Sequence, residues 1–449
     1  MLRSFKAKNY KSIKSLDFRM RPFMVLVGPN GAGKTNVVRA LELFGEIFAR
    51  GTTEPVREQG WEEIIHREDR AARGGLSFAV VFDLPEHVVA QSRRMAGAPP
   101  GPQVSVEIEV SIQLRGSSET GEVSVANESF AVRAGEAEFR VTAAAGREID
   151  VKPGDDALVQ AVAYPQRVLQ SHRAVGVQGE VLRSPGKRPV GEGFADWFRR
   201  FGAEDSSGDV FRVVNYPRVR APWMTYLAQI SQVSRLRLDA SALRSDQPVK
   251  EHAVSRLGPS GEGLAQAIRR LAGSGEKPAL AFNNVLAALQ KVYPRIEKVT
   301  PQRIAPGRWT LLFKERGIRE AFDQSSVSDG VLHALAILVM LEGGERESGL
   351  LAIEEPENAI HPWSARSMIE RAQERAERQV LVTTHSETVV NAIKDPASLY
   401  IVENGDDGTT VTPAPDKESA LGTILQETGQ KLGDVWMGGT LGGVPEQES

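Results

Sequence analysis

Apolar and polar positions alternate over residues 2–9 and again over 13–20, with Tyr10-Lys11-Ser12 between them, which predicts two strands joined by a tight turn. Met24-Val25-Leu26-Val27 is instead a continuous apolar run, the mark of a strand covered on both faces. From Val37 to Phe44 the spacing becomes helical, so a helix is expected over 34–49, and Gly51-Thr52-Thr53-Glu54-Pro55 breaks it. Between Gly75 and Val141 the segments LSFAVVFDL, VSVEIEVSIQL, GEVSVANESFAV and EFRVTAA alternate apolar and polar residues, separated by the turn-rich pieces AGAPPGPQ and RGSSETGE. This pattern predicts an antiparallel sheet with one solvated face. Residues 155–292 read mainly as helix, with loops rich in Gly, Pro and Ser at 184–193 and 202–209. Two strands are expected near 295–303 and 308–316. After them come helix 327–346, strand 349–354, helix 362–377, strand 379–384, helix 386–394 and strand 398–403.

Strands and helices that alternate at both ends of a chain imply an α/β class with a mostly parallel sheet covered by helices. The two ends are separated by the middle third, which is too long for a loop. The expected organisation is therefore a split domain: residues 1–145 with the antiparallel sheet, a helical insertion at 146–294, the returning half at 295–414, and a tail at 415–449.

Composition narrows the class. The chain has 449 residues, 41% of them hydrophobic and 25% charged, values of a globular protein with a sizeable core. No apolar stretch reaches the length of a membrane span, and the opening MLRSFKAKNYKSIKSL lacks the apolar centre of a signal peptide. The absence of cysteine excludes disulfides, thiolate metal sites and a cysteine nucleophile, and fits a cytoplasmic location. Net charge is −3, so the whole chain is no polycation, but its distribution is uneven. Residues 403–449 hold nine acids against two lysines, whereas residues 162–220 hold ten basic residues against six acids.

The chemistry is concentrated in four places. Residues 28–35 read Gly-Pro-Asn-Gly-Ala-Gly-Lys-Thr, between the apolar strand and the helix. That context identifies a phosphate-binding P-loop: Gly28, Gly31 and Gly33 let backbone N–H groups turn toward phosphate, Lys34 reaches the β- and γ-phosphates, and the Thr35 hydroxyl ligates Mg²⁺. Leu350-Leu351-Ala352-Ile353 ends in Glu354-Glu355, the form of a Walker B strand. Its first carboxylate is suited to hold Mg²⁺ through water and its second to act on the water that attacks the γ-phosphate. Val380-Leu381-Val382-Thr383-Thr384 leads into His385-Ser386; His385 is expected either to contact the γ-phosphate or the attacking water or simply to open the next helix without a catalytic part, and Ser386 to cap that helix. His361 belongs either to the site, to a subunit interface or to the turn before helix 362–377. Finally, Ser328-Asp329-Gly330 opens a long helix and offers a hydroxyl and a bare backbone N–H to an anion.

In this order, GPNGAGKTN, VSDGV, LLAIEEPENAIHP and TTHS resemble ABC-type ATPases of the RecF, SMC and OLD group, and LRSFKAKNYKSIKSLDFRM resembles that group's first strands. The tail GDVWMGGTLGGVP is similar to that of bacterial members linked to phage defence. The resemblance implies a P-loop ABC-type ATPase head that hydrolyses Mg²⁺·ATP, sandwiched between two copies. Lys34, Glu355 and His385 would be catalytic. Asn30, Gly31, Ala32, Gly33, Lys34, Thr35 and Asn36 would hold the nucleotide, with Thr35 and Glu354 at the metal. Ser328 and Gly330 would act across the interface, and Lys11 and Ser12 would lie near the base or ribose. Two departures stand out: Asp329 occupies a usual glycine position of the signature, and Glu354 stands where Asp is commoner. Gln160, Gln166 and Gln170 are all candidates for the family's glutamine switch.

With some thirty-five residues after 414, the Toprim nuclease domain of OLD proteins is not expected in this sequence, and no heptad run of SMC length appears in it. The expected function is therefore an ATP-driven switch or clamp, a homodimer or larger homo-oligomer, that controls a separate effector such as a nuclease or toxin in phage defence. The alternative is a RecF-like DNA-binding repair clamp, with Arg167, Arg173, Arg183, Lys187, Arg188, Arg199 and Arg200 on phosphates or merely on a solvated surface. Trp436, among tail glycines, is a candidate docking contact or folds back on its own head.

Overall fold

The computed structural model describes residues 1–50, 53–66, 75–95, 105–135, 137–144, 150–152, 226–227, 229–246, 257–273, 279–342, 349–374, 378–414, 427 and 429–444. The chain divides into two compact units, one of residues 1–21, 36–233 and 404–410, the other of residues 22–35, 234–403 and 411–449.

The first unit is built on antiparallel strands. Leu2–Tyr10 pairs with Ile13–Arg19 on one side and Leu76–Leu84 on the other, and the ladder continues through Val106–Gly116, Val123–Ala134, Ala137–Ala144 and Asp150–Lys152. Alternate residues of Leu76–Leu84 are buried, the expected one-sided pattern. The buried face collects aromatic rings. Phe5 stacks on Phe78 with centroids 6.1 Å apart and meets the edge of Phe44 at 6.4 Å, so the helix Lys34–Arg50 lies on this face. Helix Glu86–Met95 carries no clear helical period: its apolar positions are few, and the Pro85 that precedes it reads as a strand end.

The second unit holds the parallel strands. Phe23–Val27, Gln379–Thr384 and Leu350–Glu354 are buried along their whole length, as runs without alternation require. Leu399–Gly405 flanks Phe23–Val27, and Val233–Leu236 borders Leu350–Glu354 on the other side. The register matters for function. Glu354 lies opposite Thr383, Thr383 opposite Leu26, and Thr384 opposite Val27, so the carboxyl ends of three strands finish at one level. Helix Asp329–Glu342 is buried from Val331 to Glu342, which explains its lack of a polar face. It shares one core with helices Leu264–Ala272 and Leu280–Val292. A separate antiparallel sheet of Ile296–Ala305, Arg308–Glu315 and Phe322–Asp323 completes the unit. The fold is thus the expected α/β class with a parallel sheet plus an antiparallel one.

The insertion expected at 146–294 falls for the most part on residues 153–225, outside the described residues. So do Gln160, Gln166, Gln170 and the basic residues from Arg167 to Arg200. The described C-terminal part of that span is packed into the second unit: strand Val233–Leu236 joins the Walker B strand, and the helices after it enter the core. The tail also packs back. Helix Leu432–Met437 docks through Gly433, where a Cβ would lie 2.7 Å from Glu387 Cγ, and Trp436 is only 3% exposed. Of the two readings of Trp436, the second is the one the fold adopts. No helix among the described residues is long and apolar enough to cross a membrane.

Candidate nucleotide site

The P-loop leaves strand Phe23–Val27 with Gly28 pressed against Val402, whose carbonyl oxygen would be 2.2 Å from a Cβ at position 28. Asn30 and Gly31 form the exposed crest. Gly31 and Gly33 take φ of 84° and 101°, a region that glycine enters without steric cost and that turns successive N–H groups to one side. Ala32 is buried beneath the crest, and its N–H donates to Pro29 O at 3.2 Å.

Lys34 opens the helix and is 6% exposed. Its Nζ donates to the carbonyls of Gly28 at 2.7 Å and Pro29 at 3.0 Å, which arches the chain over the ammonium. Burial holds this ammonium below the usual lysine range, while the carboxylates of Glu355 and Glu357 act in the opposite sense. The next residue links the two motifs: Thr35 Oγ1 donates to Glu354 Oε2 at 2.7 Å. Glu354 is itself buried and receives Arg235 Nε on Oε1. Asn36, one residue on, belongs to the first unit, where its amide donates to Ser12 Oγ at 2.7 Å. Ser12 in turn meets Thr409 Oγ1 at 2.7 Å. Lys11 in the same turn has φ of 49°, and its N–H donates to Ile64 O.

After Glu354 the chain bends sharply. Glu355 has φ of 49°, a conformation a side chain adopts at a cost of about 1–2 kcal/mol, and so its neighbours must hold it. Its N–H donates to Thr383 O at 2.8 Å, and Asn358 Nδ2 donates to its Oε2 at 2.8 Å. Glu357 reaches the end of the adjacent strand. Its Oε1 accepts from the Thr384 hydroxyl at 2.6 Å and from the His385 N–H at 3.2 Å. The half-exposed ring of His385 stands with Nδ1 3.7 Å from Glu357 Oε1 and 3.9 Å from Glu355 Oε1, close to both and bonded to neither. Ser386 occupies the N-cap position of Glu387–Val390 but makes no side-chain capping bond. His361 caps helix Pro362–Gln373 by accepting the Trp363 N–H on Nδ1, which is its turn role.

The structure thus brings together Lys34, Thr35, Glu354, Glu355 and His385. Ser328 and Gly330 sit apart, at the start of helix Asp329–Glu342. Ser328 is exposed, and among the described residues no hydrogen bond joins either to residues 28–36. Gly330 is tightly packed: a Cβ there would come 2.8 Å from Ala359 O and 3.0 Å from Tyr293 Oη. Asp329, the departure from the signature pattern, is bonded by Arg244, whose Nη2 also donates to Val327 O at 2.5 Å.

Four contributors carry little signal in the sequence. Glu357 and Asn358 lie within the motif itself, and the run of acids around Pro356 was their only signal. Arg235 and Arg244 come from the middle third, and no spacing rule connects them to residues some hundred positions away.

Residues 1–92 match a family model described as an AAA ATPase domain, and residues 233–391 match one described as an AAA domain, putative AbiEii toxin, Type IV TA system. An OLD nuclease of Thermus scotoductus is 42% identical over 49 residues, a stretch that spans 11% of this chain and 9% of that protein. Among solved structures, the SMC head bound to the C-winged helix domain of ScpA aligns over 94% of this chain and 99% of its own, at 11% identity and a TM-score of 0.47. The SMC head domain from Thermotoga maritima aligns over 92% and 99%, at 12% identity and a TM-score of 0.39. Likeness at those scores is too loose to carry the assignment, which rests on the motifs and the two domain matches. With one match holding the P-loop and the other the Walker B strand, and with both motifs joined by the bond from Thr35 to Glu354, the chain is an ATP-hydrolysing P-loop ATPase.

Proposed function

We propose that this ATPase is a switch, acting as a pair or larger assembly of identical heads, that controls a separate effector protein in phage defence. The observation that carries the catalytic half of this reading is the hydrogen bond between Thr35 and Glu354, because it aims a hydroxyl and a buried carboxylate at one point beside the P-loop lysine. These are hard oxygen donors of the kind Mg²⁺ takes, so the residues fit that ion. When bound, Mg²⁺ offsets the negative charge of the phosphates. The chain's own residues do the rest. Lys34, already poised among carbonyl oxygens, turns to the phosphates. Asn30, Gly31, Ala32, Gly33 and Asn36 cradle the nucleotide, and Lys11 and Ser12 serve its base or ribose. Asn358 fixes Glu355 Oε2, so Oε1, the oxygen facing His385, takes the proton of the attacking water. Ser328 and Gly330 complete the site of a second copy.

The effector half is supported by the description of the second family model, which names a putative toxin system, and by the stretch shared with an OLD nuclease. Lys34→Ala should lose nucleotide binding, whereas Glu355→Gln should bind ATP and release phosphate 10²–10⁴-fold more slowly, the usual loss on removing a general base. Equal phosphate release by Glu355→Gln and the native chain would refute the assignment. For the control function, the Glu355→Gln chain should retain a nuclease or toxin partner in an ATP-dependent way. Retention of DNA instead, with steep weakening by salt, would favour the repair-clamp alternative.

A further inference from the structure

Strand Val233–Leu236 delivers one side chain to the Walker B carboxylate. The Arg235 side chain is 14% exposed and the Glu354 side chain 3%, and the two are joined through Nε and Oε1. Glu354 Oε2 accepts the Thr35 hydroxyl. Both oxygens are therefore engaged, one of them by a cation that belongs to the chain. A carboxylate this deeply placed needs a compensating charge. Lys34 does not supply it, since its ammonium is turned to Gly28 and Pro29 and its electrostatic partners are Glu355 and Glu357. Arg235 is the residue that balances Glu354.

A divalent cation at Thr35 and Glu354 answers the same need. Guanidinium and metal draw on the same buried carboxylate, so each weakens the other's hold on it. The geometry points to Arg235 as a positioning residue that competes with the divalent cation for Glu354, and so sets the metal concentration at which the site loads. The strand bearing Arg235 runs on into Arg237 and Leu238, which line a cavity of about 220 Å³ together with Glu354, Glu355, His333 and Asn358. Arg235 acts through Glu354.

The inference rests on Glu354 being the metal carboxylate, and one titration tests the two separately. Mn²⁺ binding to the full chain, with a non-hydrolysable ATP analogue present, is followed by electron paramagnetic resonance for the native protein, Arg235→Met, Arg235→Lys and Glu354→Gln. Arg235→Met removes the charge at similar length and should bind Mn²⁺ about tenfold more tightly, the order expected for one charge-assisted hydrogen bond. Arg235→Lys keeps the charge but loses the planar fork and should tighten binding by a smaller factor. A merely structural arginine would give the opposite sign, because a misplaced Glu354 binds metal more weakly. Unchanged or weaker Mn²⁺ affinity in Arg235→Met, with Glu354→Gln unable to bind, overturns the competition alone. Undiminished Mn²⁺ binding by Glu354→Gln overturns the metal assignment beneath it. If Arg235→Met does not fold, Arg235→Lys decides: tighter binding supports competition, and unaltered binding rejects it.

Discussion

Replacing Trp436 by alanine should destabilise the second unit and leave no docking residue to be missed. The ring is 3% exposed and lies in the same buried cluster as Leu432, Val435, Val389, Val390 and Ile401. Truncating a buried Trp costs about 3–5 kcal/mol through lost transfer energy and the cavity left behind. For a cooperative unit of this size, each kcal/mol lowers the midpoint by about 2–4 °C, which makes the expected loss roughly 6–20 °C. A second substitution sharpens the argument. Trp436 Nε1 is buried with no hydrogen-bond partner among the described residues, so part of the gain from burying the ring is offset by an unmet donor. Trp436→Phe keeps most of the apolar area and removes that donor, and it should melt close to the native chain. Thermal unfolding followed by far-ultraviolet circular dichroism reads both variants without depending on Trp fluorescence. An unaltered midpoint in Trp436→Ala, accompanied by loss of a bound partner, would show that the residue works at an interface rather than in the core.

Gly28→Ala places a Cβ 2.2 Å from the backbone oxygen of Val402, which no rotamer change can relieve, so affinity for a fluorescent ATP analogue should fall at least about tenfold; unchanged affinity would contradict the close packing. Glu357→Ala strands the Thr384 hydroxyl and the His385 N–H, whereas Glu357→Gln keeps an acceptor for both, so phosphate release should fall much further in the first. Equal losses would mean that the charge of Glu357 matters rather than its bonds. Mixing Lys34→Ala with Ser328→Arg chains should recover part of the activity that each lacks alone, because one pairing leaves an intact composite site. No recovery on mixing would place the whole site within a single chain.

The parts of this molecule that were legible in the sequence are those whose residues answer to their immediate neighbours. The apolar run before Gly28 and the glycines after it could only be a strand and a phosphate loop, and strand 379–384 was bounded correctly because every residue in it is buried. Helix 386–394 was read too long: the apolar spacing persists, but the helix stops at Val390, and Ala392 and Ile393 are buried outside it. Val233–Leu236 is too short for any period to declare itself, and its neighbour Leu350–Glu354 is far away in the chain. Trp436 misleads for a related reason. The glycines around it suggest mobility, yet Gly433 is what allows close approach to Glu387 and Asn391, and its N–H donates to Asn391 Oδ1 at 2.8 Å. Glycine served here as a contact, and sequence alone does not distinguish that from slack.

The pairing of Phe23–Val27 with Gln379–Thr384 has a consequence for how the protein is made. The P-loop strand leaves the ribosome before its partners: the strands that flank it on both sides are synthesised roughly 350 residues later. At translation rates of about 5–20 residues per second, that interval is roughly 20–70 s. Throughout it, a fully apolar strand and the loop behind it have no sheet to enter, while the hairpin of Leu2–Tyr10 and Ile13–Arg19 can already pair locally. A nascent chain therefore carries an exposed aggregation-prone segment until the Walker B half emerges, and nucleotide capture waits until the flanking strands have been made.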